Sequence, residues 1–217
     1  MFKCVIFDVD GTLIDTLETI YILCCNTLAR FGLRPLTKEE YNPLFGLGAR
    51  DLTEGILDIV LNGDRSMSET VHQEMVTRYY DNPISGSKPF NGIPEMVNEL
   101  LRKEVTLAVL TNKPQNILNR MIEEFFKPDS FARCVGHSGN MPLKPDPSTL
   151  IALIDELGYK PHECVYVGDT PIDIQTAKGA GAYSIGVLWG LYGKKTLIQS
   201  GADMAVNTPD QITALFA

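Results

Sequence analysis

The chain has 217 residues, 44% of them hydrophobic and 21% charged, an ordinary globular balance with enough length to bury a core without staples. No run approaches the ~20 apolar residues of a membrane span, and a net charge of -8 argues against nucleic acid or an anionic membrane as partner. Cys4, Cys24, Cys25, Cys134 and Cys164 are odd in number and form no CxxC pair, which points to reduced thiols in a cytoplasmic protein.

Cys4-Val5-Ile6-Phe7 is an apolar run, β-branched at Val5 and Ile6, and reads as a buried parallel strand. It is too short for a signal peptide and meets Asp8 at once. Asp8 and Asp10 stand two positions apart, so extended chain turns both carboxylates toward one cleft. Gly11 then allows a sharp turn that leaves backbone N–H groups open to an anion. Two adjacent acids repel, which separates their pKa values: one can stay ionised as a nucleophile while the other carries a proton. The plainer reading is a strand followed by an Asp-Gly turn, and the rest of the chain decides between the two.

Asp15-Thr16-Leu17-Glu18 carries an N-cap with Glu three positions on, predicting a helix to Phe31 that Gly32 stops. Thr37 with Glu40, and Ser66 with Glu69, repeat the pattern, and Leu52, Ile56, Ile59 and Val60 keep helical spacing. Nothing from Thr16 to about Asp81 alternates like a strand. Residues 16-84 therefore read as an all-helical insertion, closed by the Pro/Gly/Ser-rich stretch 82-89.

From Phe90 the pattern becomes strand, helix, strand. Gly92-Ile93-Pro94 opens a helix with Met96, Val97, Leu100 and Leu101 on one face, and Val105 to Leu110 is a strand ending at Thr111-Asn112. Pro114 starts a helix with Ile117, Leu118, Met121, Ile122 and Phe125 inward, and Phe131 to Val135 is a short strand. Asp146-Pro147 caps a helix of Leu150, Ile151, Leu153, Ile154 and Leu157 that Gly158 closes. Cys164 to Val167 is a strand ending at Gly168-Asp169, and Thr170-Pro171 starts a helix to Ala180-Gly181. Tyr183 to Leu188 and Met204 to Val206 complete the strands. Such alternation means a doubly wound parallel sheet, a Rossmann-like α/β core, here over residues 1-15 and 85-217.

In such sheets ligands sit at the carboxyl ends of the strands. Asp8 and Asp10, then Thr111 and Asn112, then Asp169 all fall at those ends, and the loop carrying Lys144 faces the same side. Each alone has a bland reading as a cap, a turn or a solvated charge. Their arrival at one edge, in this order, favours a catalytic one.

Four segments resemble the signatures of the haloacid dehalogenase-like superfamily: Asp8-Val9-Asp10-Gly11-Thr12, Thr111, Lys144-Pro145, and Gly168-Asp169-Thr170-Pro171-Ile172-Asp173. The resemblance covers essentially the whole chain, with the helical insertion where that family has its cap domain. Asp10 is similar to the acid that separates phosphatase-like members from dehalogenases. Gly46-Leu47-Gly48, Trp189-Gly190 and Gly201-Ala202-Asp203 are similar to phosphoglycolate phosphatases. The resemblance implies Asp8 as nucleophile, Asp10 as general acid and base, Thr111 as a holder of phosphoryl oxygens and Lys144 as charge compensation. Asp8, Asp10, Asp169 and Asp173 concentrate negative charge where a dianion binds, so a divalent cation is expected, Mg²⁺ by its preference for oxygen ligands. Asp8, Asp169 and the Asp10 carbonyl are the expected ligands, with Asp173 direct or one layer behind.

The expected partner is a small phosphorylated metabolite of the phosphoglycolate type, handled by a monomer or homodimer. Inorganic pyrophosphate and sugar phosphates are alternatives within the superfamily. Arg50, after the glycine-rich break 46-48, is a candidate for reading a substrate carboxylate, set against a solvated helix-start residue. Asn112 is expected beside Thr111 and Lys144 in substrate binding. A receiver-type signalling module is the reading from a different class; its phosphorylated Asp follows the third strand, and it lacks a long helical insertion. His72, His137 and His162 cluster with nothing in the sequence.

Overall fold

Cys4–Phe7 forms β1, buried on both faces, inside a six-stranded parallel sheet. The structure is a computed structural model and describes residues 2–82, 85–139 and 141–216. After β1 come β2 (Ile14–Asp15), α1 (Leu17–Arg30), α2 (Lys38–Tyr41), α3 (Ala49–Val60) and α4 (Ser68–Asp81). Then follow β3 (Lys88–Pro89), α5 (Ile93–Arg102), β4 (Thr106–Pro114), α6 (Gln115–Phe125), β5 (Arg133–His137) and α7 (Ser148–Glu156). The chain finishes with β6 (Cys164–Gly168), α8 (Pro171–Ala180), β7 (Tyr183–Val187), α9 (Lys194–Gln199), β8 (Met204–Val206) and α10 (Asp210–Thr213).

The sheet order is β5-β4-β1-β6-β7-β8, the doubly wound α/β arrangement expected from the alternation of elements. The chain fills one side of β1 with β4 and β5, then crosses back to fill the other with β6, β7 and β8. That reversal opens a crevice at the carboxyl ends of the central strands. Alternation along β1 divides the core between the two sheet faces. Val5 and Phe7 pack with Ile93, Val109 and Met121, whereas Cys4 and Ile6 pack with Leu110, Leu150 and Ala177.

The helices α1 to α4 form the expected insertion and carry a core of their own, built on Ile20, Cys24, Leu28, Tyr41, Leu52, Ile56 and Met75. β2 and β3 pair antiparallel, Ile14 with Pro89 and Asp15 with Lys88, so the two chain crossings into this unit lie side by side. Pro83 and Ile84, where the expected boundary of the insertion falls, lie outside the described residues.

Several local expectations are corrected. Asp15 does not cap α1: it is spent on the β2–β3 ribbon, and Thr16 takes the N-cap position without a side-chain cap bond. Ser66 and Glu69 form no capping box, because α4 starts at Ser68 and Glu69 instead binds Arg50 and Gln73. The Thr37–Glu40 box is present. β4 runs four residues beyond Leu110 through a bulge to Pro114, and β5 lies two residues later than its apolar run suggested. Leu101 and Ile151 turn outward, at 38% and 40% exposure. α9, α10 and the β2–β3 ribbon carry too few residues to show a period, and were not foreseen.

Candidate active site

Asp8 follows β1 directly and is buried, with Lys144 Nζ 3.0 Å from its Oδ1. The pair is ionic without hydrogen-bond alignment, and Asp8 Oδ1 has no hydrogen-bond donor. Burial pushes the Asp8 carboxyl up to about 6; Lys144 pulls it back down, and Asp173 and Asp10 push it further up. Lys144 comes from the loop before α7. Its ammonium sits 2.6 Å from Asp173 Oδ1 and 3.0 Å from the Tyr166 hydroxyl, which in turn donates to the Leu110 carbonyl. Burial alone would lower the Lys144 pKa, but Asp173 and Asp8 outweigh it and hold the ammonium charged.

β6 delivers the other acids. Thr170 caps α8 in a reciprocal box with Asp173, whose Oδ2 accepts from both the backbone N–H and the hydroxyl of Thr170. Asp169 is fully buried and accepts from the Thr12 hydroxyl and the Leu191 N–H. The Thr12 carbonyl accepts from the Trp189 indole, which ties the first loop to the strand end of β7. Gly11, at φ +79°, and Gly190 both lie against Asp169, and a Cβ on either would overlap its carboxylate.

Asp8, Asp169 and Asp173 each offer an oxygen within 4.8 Å of the others, all three buried. Burial, then the neighbouring Asp173 charge, raises Asp169 well above the usual carboxylate range. Three buried acids with oxygen-only donors and one orphaned oxygen, Asp8 Oδ1, fit a hard divalent cation such as Mg²⁺. Asp173 already gives Oδ1 to Lys144 and Oδ2 to Thr170, so Asp8 and Asp169 carry the fewer competing donors. The Asp10 carboxylate stands apart from this triad.

Asp10 is held at both oxygens. Thr16 donates to Oδ1 at 2.6 Å, and Lys113 Nζ lies 2.9 Å from Oδ2. Lys113 also donates to the Tyr79 hydroxyl on α4. Burial lowers the Lys113 pKa, yet the Asp10 charge and Tyr79 outweigh it and leave it raised. Sequence reasoning missed Lys113 because it ended the strand at Leu110. The strand instead continues through its bulge to Pro114, and Thr111, Asn112 and Lys113 all line the cavity.

Thr111 is buried beside Asp8, and both line the same cavity. Asn112 lines it too, but its side chain is a bracket: Nδ2 donates to the Gly46 and Lys144 carbonyls, and Oδ1 accepts from the Lys144 N–H. Arg50 lies away from this cavity, half exposed, with its guanidinium on Glu69 at 2.9 Å. His72 meets the Thr53 hydroxyl at 3.3 Å, and no histidine reaches the acid cluster among the described residues. No helix among them is long and apolar enough to cross a membrane.

A family profile described as haloacid dehalogenase-like hydrolase matches residues 5–187. The chain is 30% identical over 207 residues to a phosphoglycolate phosphatase of Rhodospirillum rubrum, covering 93% of this chain and 86% of that one. It is 27% identical to an N-acetylmuramic acid 6-phosphate phosphatase of Pseudomonas aeruginosa, over 97% of this chain and 92% of that one. Its fold superposes on a crystal structure of a predicted phosphoglycolate phosphatase from Haemophilus somnus with a TM-score of 0.92. That match has 23% identity and covers 100% and 98% of the two chains.

Proposed function

The chain belongs to the haloacid dehalogenase-like hydrolase family, and on that premise we propose that it is a Mg²⁺-dependent phosphomonoesterase working through a phosphoaspartyl intermediate on Asp8. The observation that carries this reading is the division between two neighbouring acids. Asp8 is buried against Lys144, while Asp10 is fastened separately by Thr16 and Lys113.

Asp8 attacks phosphorus in line. The new O–P bond forms as the bond to the ester oxygen breaks, and Asp10 gives that departing oxygen its proton. Asp10 then takes a proton from the water that attacks phosphorus, which releases phosphate and restores the Asp8 carboxylate. Lys144 offsets negative charge on Asp8 and on the transferring group, and the Thr111 hydroxyl holds non-bridging oxygens. Asp8 and Asp169, with Asp173 behind them, would hold Mg²⁺, which when bound supplies positive charge and polarises the phosphoryl group.

Relatives at 27% and 30% identity are named for two different esters, so family membership leaves the alcohol portion of the substrate open. 2-Phosphoglycolate is the reference substrate by name, with sugar phosphates and pyrophosphate beside it. All five thiols are free, which fits a reducing compartment such as the cytoplasm. A receiver module is disfavoured, because Asp8 ends the first strand and the family is hydrolytic.

The test is phosphate release from p-nitrophenyl phosphate with Mg²⁺, its loss on chelation and its return when Mg²⁺ is restored. It is paired with a search by mass for one phosphoryl group on the Asp8 peptide after acid quench. Absence of turnover, or full activity after exhaustive metal removal, overturns the proposal.

A further inference from the structure

The cavity in front of Asp8 and Asp10 has two unlike walls. The sheet side supplies polar groups: Asp8, Asp10, Thr111, Lys113 and Lys144. The helical insertion supplies Ile20, Leu23, Phe45, Leu52, Met75 and Val76, with Tyr79, whose hydroxyl is taken by Lys113. Among the described residues lining the cavity, none from the insertion carries a charge.

The two cations present are both committed. Lys144 is held by Asp8 and Asp173, and Lys113 by Asp10 and the Tyr79 hydroxyl. Arg50 lines an adjoining cleft that shares Ala49, Val76, Asn112 and Pro114 with this one, and its guanidinium is turned to Glu69 rather than into the cavity. A carboxylate on the leaving alcohol would therefore leave water for a hydrocarbon wall with no free cation to meet it, a costly transfer. An alkyl chain or ring would instead remove apolar surface from water on both sides of the contact.

Resting on the phosphomonoesterase reading, we propose that the substrate is the monophosphate of an uncharged, mainly apolar alcohol, and that 2-phosphoglycolate is a poor substrate. The sheet edge reads the phosphoryl group, and the insertion selects against charge on the rest of the molecule.

The test compares kcat/KM for n-butyl phosphate, benzyl phosphate, ethylene glycol monophosphate and 2-phosphoglycolate with the Mg²⁺-loaded enzyme. Ethylene glycol monophosphate is the neutral counterpart of phosphoglycolate, so it separates charge from polarity. The expected order is butyl and benzyl first, ethylene glycol next and phosphoglycolate last, by about 10²-fold overall. Phosphoglycolate equal to or above the apolar esters overturns the inference while leaving the phosphatase reading standing. Turnover of none of the four while p-nitrophenyl phosphate is still hydrolysed overturns the inference alone; loss of both overturns the phosphatase reading as well. A second arm uses Leu23→Lys and Val76→Lys, placed at half-buried positions of the apolar wall, with folding checked by thermal unfolding. In at least one of them the phosphoglycolate-to-butyl ratio should rise about tenfold or more. An unchanged ratio in both folded variants overturns the role of this wall.

Discussion

Lys113 Nζ lies 2.9 Å from Asp10 Oδ2, with its own side chain 1% exposed, and its other contact is the Tyr79 hydroxyl on α4. A buried cation from the sheet thus joins the proposed proton-transfer acid to the helical insertion. Thr16, at the start of that insertion, claims the other Asp10 oxygen. Both oxygens are fixed, so Asp10 presents one orientation to the cavity, as a group that moves a proton at a defined atom requires.

Lys113→Met should therefore act on stability and on rate. Removing one partner of a buried ion pair typically costs about 3–5 kcal/mol, which urea unfolding will read. kcat should fall about 10-fold or more, less than for loss of Asp10 itself, because the acid survives but loses its fixed position. Tyr79→Phe removes only a hydroxyl and should cost about 1 kcal/mol. Wild-type stability and rate in Lys113→Met would show that the contact is incidental.

Asp8→Asn should abolish turnover, since the amide oxygen does not form the acyl phosphate. Asp10→Asn should still give a burst of p-nitrophenol, because that leaving group needs no proton, followed by release slowed about 10²–10⁴-fold. Rapid-quench kinetics distinguish the two. Near-normal steady-state turnover in either variant contradicts the assignment.

Metal-free protein should show an unusual pH dependence. Asp8 moves from its ordinary 3.8 to about 6, chiefly through burial. A raised carboxyl binds its proton more tightly in the folded chain than in the unfolded one, so this contribution is present at low pH. It is lost as pH rises between about 4 and 6, on the order of 3 kcal/mol. Mg²⁺ binds the ionised form and should therefore raise the unfolding temperature more at about pH 7.5 than at about pH 5. Thermal unfolding with and without Mg²⁺ measures this, and Asp8→Asn should flatten its own share of the slope.

Gly190→Ala places a methyl group against Asp169 Cβ and Oδ2 and against the Gly11 backbone carbonyl. Asp169 must shift, breaking its bonds from Thr12 and Leu191. Disturbing the groups that orient a metal ligand typically weakens binding about 10–100-fold. The Mg²⁺ concentration for half-maximal activity should rise by that factor, with kcat at saturating Mg²⁺ less affected.

The central strand and its acids were legible because their signal is local: an apolar β-branched run, then acids at the period of extended chain. Lys144 and Asp169 were legible because each follows or precedes an element whose period is clear. Lys113 was not, since a bulge carries β4 past the point where its apolar residues end, and hydrophobic pattern marks only buried apolar chain. The Ser66–Glu69 cap failed for a different reason. Arg50 on α3 and Gln73 compete for Glu69, and neither tertiary contact leaves a trace in local spacing. Arg50 itself shows the same limit: its position after the glycine break was readable, its direction was not.

β1 precedes both of its neighbours in the chain by more than a hundred residues, pairing with Thr106–Val109 on one side and Cys164–Val167 on the other. Helices α1 to α4 close their contacts locally and can condense early, while β1 waits for partners that arrive late. An apolar strand with both edges open is a template for misassembly during that interval. β1 is only four residues long, and Asp8 and Asp10 stand immediately beyond it. Charges flanking a short apolar strand act as gatekeepers against such pairing. The acids proposed for chemistry in the finished protein thus also stand where charge opposes such pairing while the sheet assembles.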